Sequence, residues 1–184
     1  FSGNGDTWFP FVGWMGDTFG DATQDGWVMN SSDISNQLNQ VSPNGGTNYQ
    51  AGLLSASEML NEKREDAITA VIFVSDGNPT YYYNEQGYTV GDGSEYDENA
   101  NEAAKNTVSS LLCDYFFAVG VGPKGNYNRL QDLKNDSIAP NKEFYEGTDE
   151  EALKKAFDDI QASITTLACS DVTITDILSE NVQI

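Results

Sequence analysis

A chain of 184 residues with 39% hydrophobic content is long enough to bury one sizeable core and to carry part of a second module. Its 29 acidic residues against 9 basic ones set a net charge of −20, which repels nucleic acid and anionic membrane at long range and makes cations the expected small partners. Histidine is absent, and with it the commonest general base, the commonest zinc ligand and every Ser/His/Asp or Cys/His catalytic arrangement, so the chain is not expected to be an enzyme.

The first residues, FSGNGDTWF, have neither the basic nor the apolar region of a signal peptide, and no segment reaches the roughly 20 apolar residues of a membrane-spanning helix. The opening on Phe1 without a methionine is what a processed or trimmed product would show. GDTFGDATQDG (16–26) spaces Asp17, Asp21 and Asp25 every four residues, whereas an EF-hand loop spaces its ligands every two, so no calcium site is expected there. DISNQ (33–37), with Asp33 and Ser35 ahead of Leu38 and Val41, reads as a helix N-cap.

NGGTNYQAGL (44–53) puts Thr47 directly after two glycines and ahead of a helix predicted over about 48–61. AITAVIFVSDG (67–77) is a continuous, β-branched apolar run ended by Asp76-Gly77, as expected of a strand buried on both faces. The acidic, aromatic stretch 79–99 is too long for an ordinary connection. It reads either as part of a ligand face that uses Tyr81, Tyr82, Tyr83 and Tyr88, or as a solvated lid or small hairpin. A helix over 97–112 carries Ala100, Ala103, Ala104, Val108, Leu111 and Leu112 at helical spacing, and YFFAVGVG (115–122) is a second buried strand. A short helix, a strand at KEFYEG (142–147) and a last helix follow. That helix has Thr148 and Glu151 in capping-box register and Leu153, Ala156, Phe157, Ile160 and Ile164 on one face. Beyond it, CSDVTITDILSENVQI changes to strand-like alternation at Val172 and Ile174.

Strand and helix in alternation predict an α/β fold: a three-layer, open, twisted, mainly parallel sheet flanked by helices. Right-handed crossovers place the loops after the strands along one edge, so Thr47 and Asp76 are expected to converge there. A hydroxyl and a carboxylate suit Mg²⁺, Mn²⁺ or Ca²⁺, and Gly45 and Gly46 would let the loop approach such an ion. Taken singly, Thr47 reads rather as an N-cap and Asp76-Gly77 as an ordinary turn, and the strand and helix context reverses that preference. Cys113 and Cys169 are the only cysteines, and both are expected at the opposite edge. They are read as a disulfide, which implies an oxidising extracellular setting, with two buried thiols as the alternative.

GGTNYQAGLLSASEML, followed after a short spacer by AVIFVSDGNPT and then FFAVGVG, resembles a von Willebrand factor type A domain over about Phe1 to Leu167. The resemblance implies a metal-ion-dependent adhesion site that takes one threonine and one aspartate from the motifs matched by Thr47 and Asp76. The family's third motif, a DxSxS loop after the first strand, is not in this sequence, so the first strand and helix are expected upstream of residue 1. Asp33 and Ser35 imitate it only in part, because Gln37 stands where a serine is needed. The expected organisation is a type A-like domain over 1–167, incomplete at its N-terminus, with 168–184 opening a β-sandwich module or forming a terminal strand. The tail resembles the modules that follow type A domains in tip adhesins of Gram-positive pili. The implied function is cell-surface adhesion, in which the divalent ion accepts an acidic group of a host protein or glycoprotein. The alternative is a structural stalk domain of a pilus or wall protein, touching neighbouring domains, with a vestigial ion site.

Overall fold

Apolar runs that leave water must satisfy their backbone amides in neighbouring strands, and the runs of this sequence do so in parallel. The computed structural model describes residues 9–14, 22–28, 32, 35, 46–63, 65, 67–123 and 126–168. In chain order the elements are β1 (Phe9–Trp14), β2 (Ala22–Val28), α1 (Tyr49–Asn61), β3 (Ala70–Ser75), β4 (Tyr81–Tyr83), β5 (Thr89–Gly91), α2 (Glu98–Val108), β6 (Tyr115–Val121), α3 (Asn128–Asp136), β7 (Asn141–Gly147) and α4 (Glu150–Ala168). The strands β3, β6 and β7 form a parallel sheet in that order, with Ile72 opposite Phe117 and Phe117 opposite Glu143. Antiparallel pairs β1–β2 and β4–β5 make two further small sheets. The stretch 79–99 is therefore a small hairpin followed by a turn into α2.

Side chains alternate across β6, the central strand, and this alternation divides the interior in two. Phe116 and Ala118 point into a core shared with Tyr49 and Leu53 of α1, Ala104 and Val108 of α2, and Leu130 and Leu133 of α3. Tyr115, Phe117 and Val119 point the other way, against Ile160, Leu153 and Ile164 of α4. Three helices on one face and one on the other give the three layers expected from the sequence. β6 is buried along Tyr115–Gly120, as its unbroken apolar run requires.

β3 departs from expectation. Its run is as apolar as that of β6, yet Ile72 and Val74 are 39% and 45% exposed. The register with Phe117 and Val119 puts both on the α4 face, and α4 packs over β6 and β7 instead. Among the described residues β3 is an edge strand, paired only with β6, so neither its outer edge nor that face is covered.

Smaller corrections have local causes. Leu111 is buried, but Leu112 is 73% exposed because α2 ends at Val108 and the chain turns before β6. Phe157 is 41% exposed although its helix neighbours Ala156 and Ile160 are buried. Asp149, not Thr148, caps α4: its carboxylate accepts the Ala152 N–H at 2.8 Å and its carbonyl accepts the Leu153 N–H at 2.9 Å. Ser35 lies in helical conformation, whereas Asp33, Asp17 and Asp21 lie outside the described residues and Asp25 falls within β2. The tail 169–184, including Cys169, also lies outside them; Cys113, two residues before β6, is buried and has no disulfide partner among the described residues.

Candidate functional site

Thr47 sits where an extended segment enters α1, yet it does not cap the helix. Asn48 does, with extended backbone and a side-chain oxygen that accepts the Ala51 N–H at 2.9 Å. That assignment leaves the Thr47 hydroxyl without a hydrogen-bond partner among the described residues, while its backbone is held on both sides. The Thr47 N–H donates to Thr80 Oγ1 at 2.7 Å, and the Thr47 carbonyl accepts from the N–H groups of Thr80 at 2.8 Å and Tyr81 at 3.0 Å. The hairpin that begins at Tyr81 is thereby sewn to the threonine loop, and Gln50 Oε1 adds a contact to the Tyr83 N–H at 2.7 Å.

Gly46 makes this closure sterically possible. A Cβ there would lie 2.4 Å from Thr80 Oγ1 and 2.6 Å from the backbone Cα of Gly93. The glycine expected to admit an ion thus admits the hairpin; Gly45 lies outside the described residues.

Asp76 follows the last residue of β3 and is exposed at the C-terminal edge of the sheet. The next residue, Gly77, adjoins the threonine loop: a Cβ added there would lie 3.8 Å from Thr47 Oγ1. Tyr49, buried in α1, reinforces the link by donating its hydroxyl to the Gly77 carbonyl at 2.5 Å. Burial, aided by the negative charge of Asp76, pushes the Tyr49 phenol well above its ordinary range and keeps it a donor. Residues 47 and 76, 29 positions apart in sequence, occupy adjoining loops.

The donors fit a hard divalent cation in kind but not in number. Mg²⁺ requires about six oxygens, and Ca²⁺ six to eight. Among the described residues no group of three or more acidic, cysteine or histidine side chains is placed to hold a metal. Sequence reasoning missed Thr80, Tyr49 and Asn48 as the supports of this edge. Asn48 had a readable signal, an Asn directly before a helical run. Thr80 had none, because its partner is 33 residues away.

A family profile for the von Willebrand factor type A domain matches residues 18–159. Inter-alpha-trypsin inhibitor heavy chain H2 from Mus musculus is 27% identical over 134 residues, which cover 68% of this chain and 13% of that protein. The Sus scrofa counterpart is 28% identical with the same coverage, so the chain spans only a small part of these relatives. Among solved structures, a mutant of the PilB minor pilin from Streptococcus sanguinis superposes with a TM-score of 0.65 at 19% identity, covering 85% of this chain and 49% of that one. The pilus adhesin SpaC from Lactobacillus rhamnosus GG superposes with a TM-score of 0.56 at 16% identity, covering 85% and 25%. The family profile spans most of the chain, and the parallel sheet between helices has the matching architecture: the chain belongs to the von Willebrand factor type A family.

Proposed function

We propose that this chain is a cell-surface adhesion domain that binds an acidic group of a host protein or glycoprotein through a divalent cation, Mg²⁺ or else Mn²⁺ or Ca²⁺. Thr47 supplies a direct oxygen, and Asp76 a direct or water-mediated one. The observation that carries this is the Thr47 hydroxyl, spared from capping and from every other described partner, beside the loop of an exposed carboxylate. When bound, the ion supplies an electrophilic coordination position for a ligand carboxylate. The chain's own residues fix the two loops, through Thr80 and Tyr49, so that the donors need little reorganisation.

The remaining oxygens would arrive on an apolar strand lying parallel along the open edge of β3, with its C-terminal end next to Asp76. In this proposal that role falls to an upstream segment carrying the first strand and DxSxS loop that the family resemblance implies. The proposed setting is extracellular, among other pilus or wall-protein domains, with Cys113 joined to Cys169. A non-catalytic role agrees with the absence of histidine.

The test is a thermal-shift titration with Mg²⁺ on the protein bearing that upstream segment. Saturation at 100 times Kd should add about 2.7 kcal/mol of stability, and Asp76→Ala should abolish the shift. A flat response in the unsubstituted protein would overturn the cation reading and leave the structural stalk role.

A further inference from the structure

A cavity of about 530 Å³ opens at the ends of β6 and β7, on the same edge of the parallel sheet as Asp76. Two strand spacings, about 10 Å, separate the end of β3 from that of β7. Its inner wall is aromatic. Tyr127 is buried and its ring packs 6.4 Å from that of Phe144, which is half-buried. The position of Tyr127 is fixed twice: its hydroxyl donates to the Gly122 carbonyl, and its ring lies so close over Gly120 that a Cβ there would meet it at 2.4 Å.

The rim is polar and its side chains are uncommitted. Asn128, Gln131, Glu146 and Thr148 line the opening, and none of their side chains has a hydrogen-bond or ion-pair partner among the described residues. Two amides and a hydroxyl provide both donors and acceptors, and the carboxylate provides acceptors only. No cationic side chain lines the cavity among the described residues.

Charge narrows the ligand class. Glu146, together with a net charge of −20, opposes an anion. The N-terminus of α3, where Tyr127 occupies the cap position and the neighbouring Asn126 side chain accepts the Asn128 N–H at 3.2 Å, carries the positive end of the helix dipole, which opposes a cation. A neutral ligand with an apolar face and several hydroxyls satisfies every wall at once. We propose that this cavity is a second binding site, independent of the cation edge, and that it takes a sugar residue, stacked on the Phe144–Tyr127 wall and hydrogen-bonded by Asn128, Gln131, Glu146 and Thr148.

The experiment is saturation-transfer NMR on the full 184-residue chain with a panel of methyl glycosides of glucose, galactose, mannose and N-acetylglucosamine, with EDTA present throughout. At least one glycoside should bind with millimolar affinity. Glu146→Gln should weaken it several-fold and Gln131→Ala with Asn128→Ala at least tenfold, the melting curves of these surface variants staying unchanged. Asp76→Ala should bind the glycoside like the parent, which separates this site from the cation site. No binding of any glycoside, binding indifferent to the rim substitutions, binding lost in Asp76→Ala, or preferential binding of methylamine would each overturn the proposal.

Discussion

Thr80 holds Thr47 through a side-chain oxygen at 2.7 Å from its N–H and a backbone N–H at 2.8 Å from its carbonyl, across 33 residues of sequence. Replacing Thr80 by the near-isosteric valine removes only the hydroxyl, leaving the Thr47 N–H without its partner beside a buried side chain. Thr80→Val should cost about 1–3 kcal/mol in urea unfolding, and Thr80→Ser should restore most of it. Under the cation proposal, Thr80→Val should also weaken the Mg²⁺ response of the strand-completed protein several-fold.

Gly46 and Gly77 lie on the two adjoining loops but should respond differently to alanine. At Gly46 the added methyl meets the backbone of Gly93 at 2.6 Å, so the hairpin must shift. A loss of about 1–3 kcal/mol is expected there. At Gly77 the nearest atom is Thr47 Oγ1 at 3.8 Å, an ordinary contact. Gly77→Ala should therefore unfold close to the parent in the same urea titration, while crowding the hydroxyl assigned to the cation.

Val74 is 45% exposed on the uncovered face of β3. Lysine there keeps its charge in water, so Val74→Lys should change the stability of the 184-residue chain by no more than about 0.5 kcal/mol, as surface substitutions usually do. If an apolar strand and its helix cover that face in the longer protein, the same substitution should lower the melting temperature of the longer protein by many degrees. Equal melting shifts in the two would contradict the proposed strand position.

Burial pushes the Cys113 thiol from 9.0 up to about 11, with the neighbouring Asp114 charge acting in the same direction. A group whose folded pKa is raised favours folding below its unfolded pKa, and that contribution fades as pH climbs from 9 through about 11. Reduced protein should therefore lose stability across that window, and Cys113→Ala should lose less. Joined to Cys169 as proposed, the sulfur would not titrate, and the bridge would add about 4 kcal/mol in the chain-entropy model. Peptide mapping of protein secreted under oxidising conditions should find the pair linked, and alkaline titration of that material should lack the step.

Much of the architecture was legible in the sequence because its causes are local. The 3.6-residue spacing of Ala100, Ala104 and Val108 and the apolar run of β6 each fix an element from a few neighbouring residues. Alternation of strands with helices then permits few topologies, and the parallel order β3-β6-β7 is among them. The meeting of the Thr47 loop with the Asp76 loop followed from that topology alone.

What sequence could not supply depends on which surfaces meet at a distance. β3 and β6 read alike as apolar runs, yet only β6 is buried on both faces, because burial is set by what packs above a strand and not by its composition. The role of Gly46 was likewise decided by Gly93 and Thr80, far away in the chain. The cavity beside Tyr127 and Phe144 joins two strand ends and a helix start, and no periodicity encodes that convergence. Amino-acid order by itself determined the elements and the edge at which chemistry gathers. Tertiary packing alone decided that the Thr47 backbone is held by Thr80 and Tyr81 while its hydroxyl has no partner among the described residues, since those contacts join loops 33 positions apart in sequence and no local pattern encodes them.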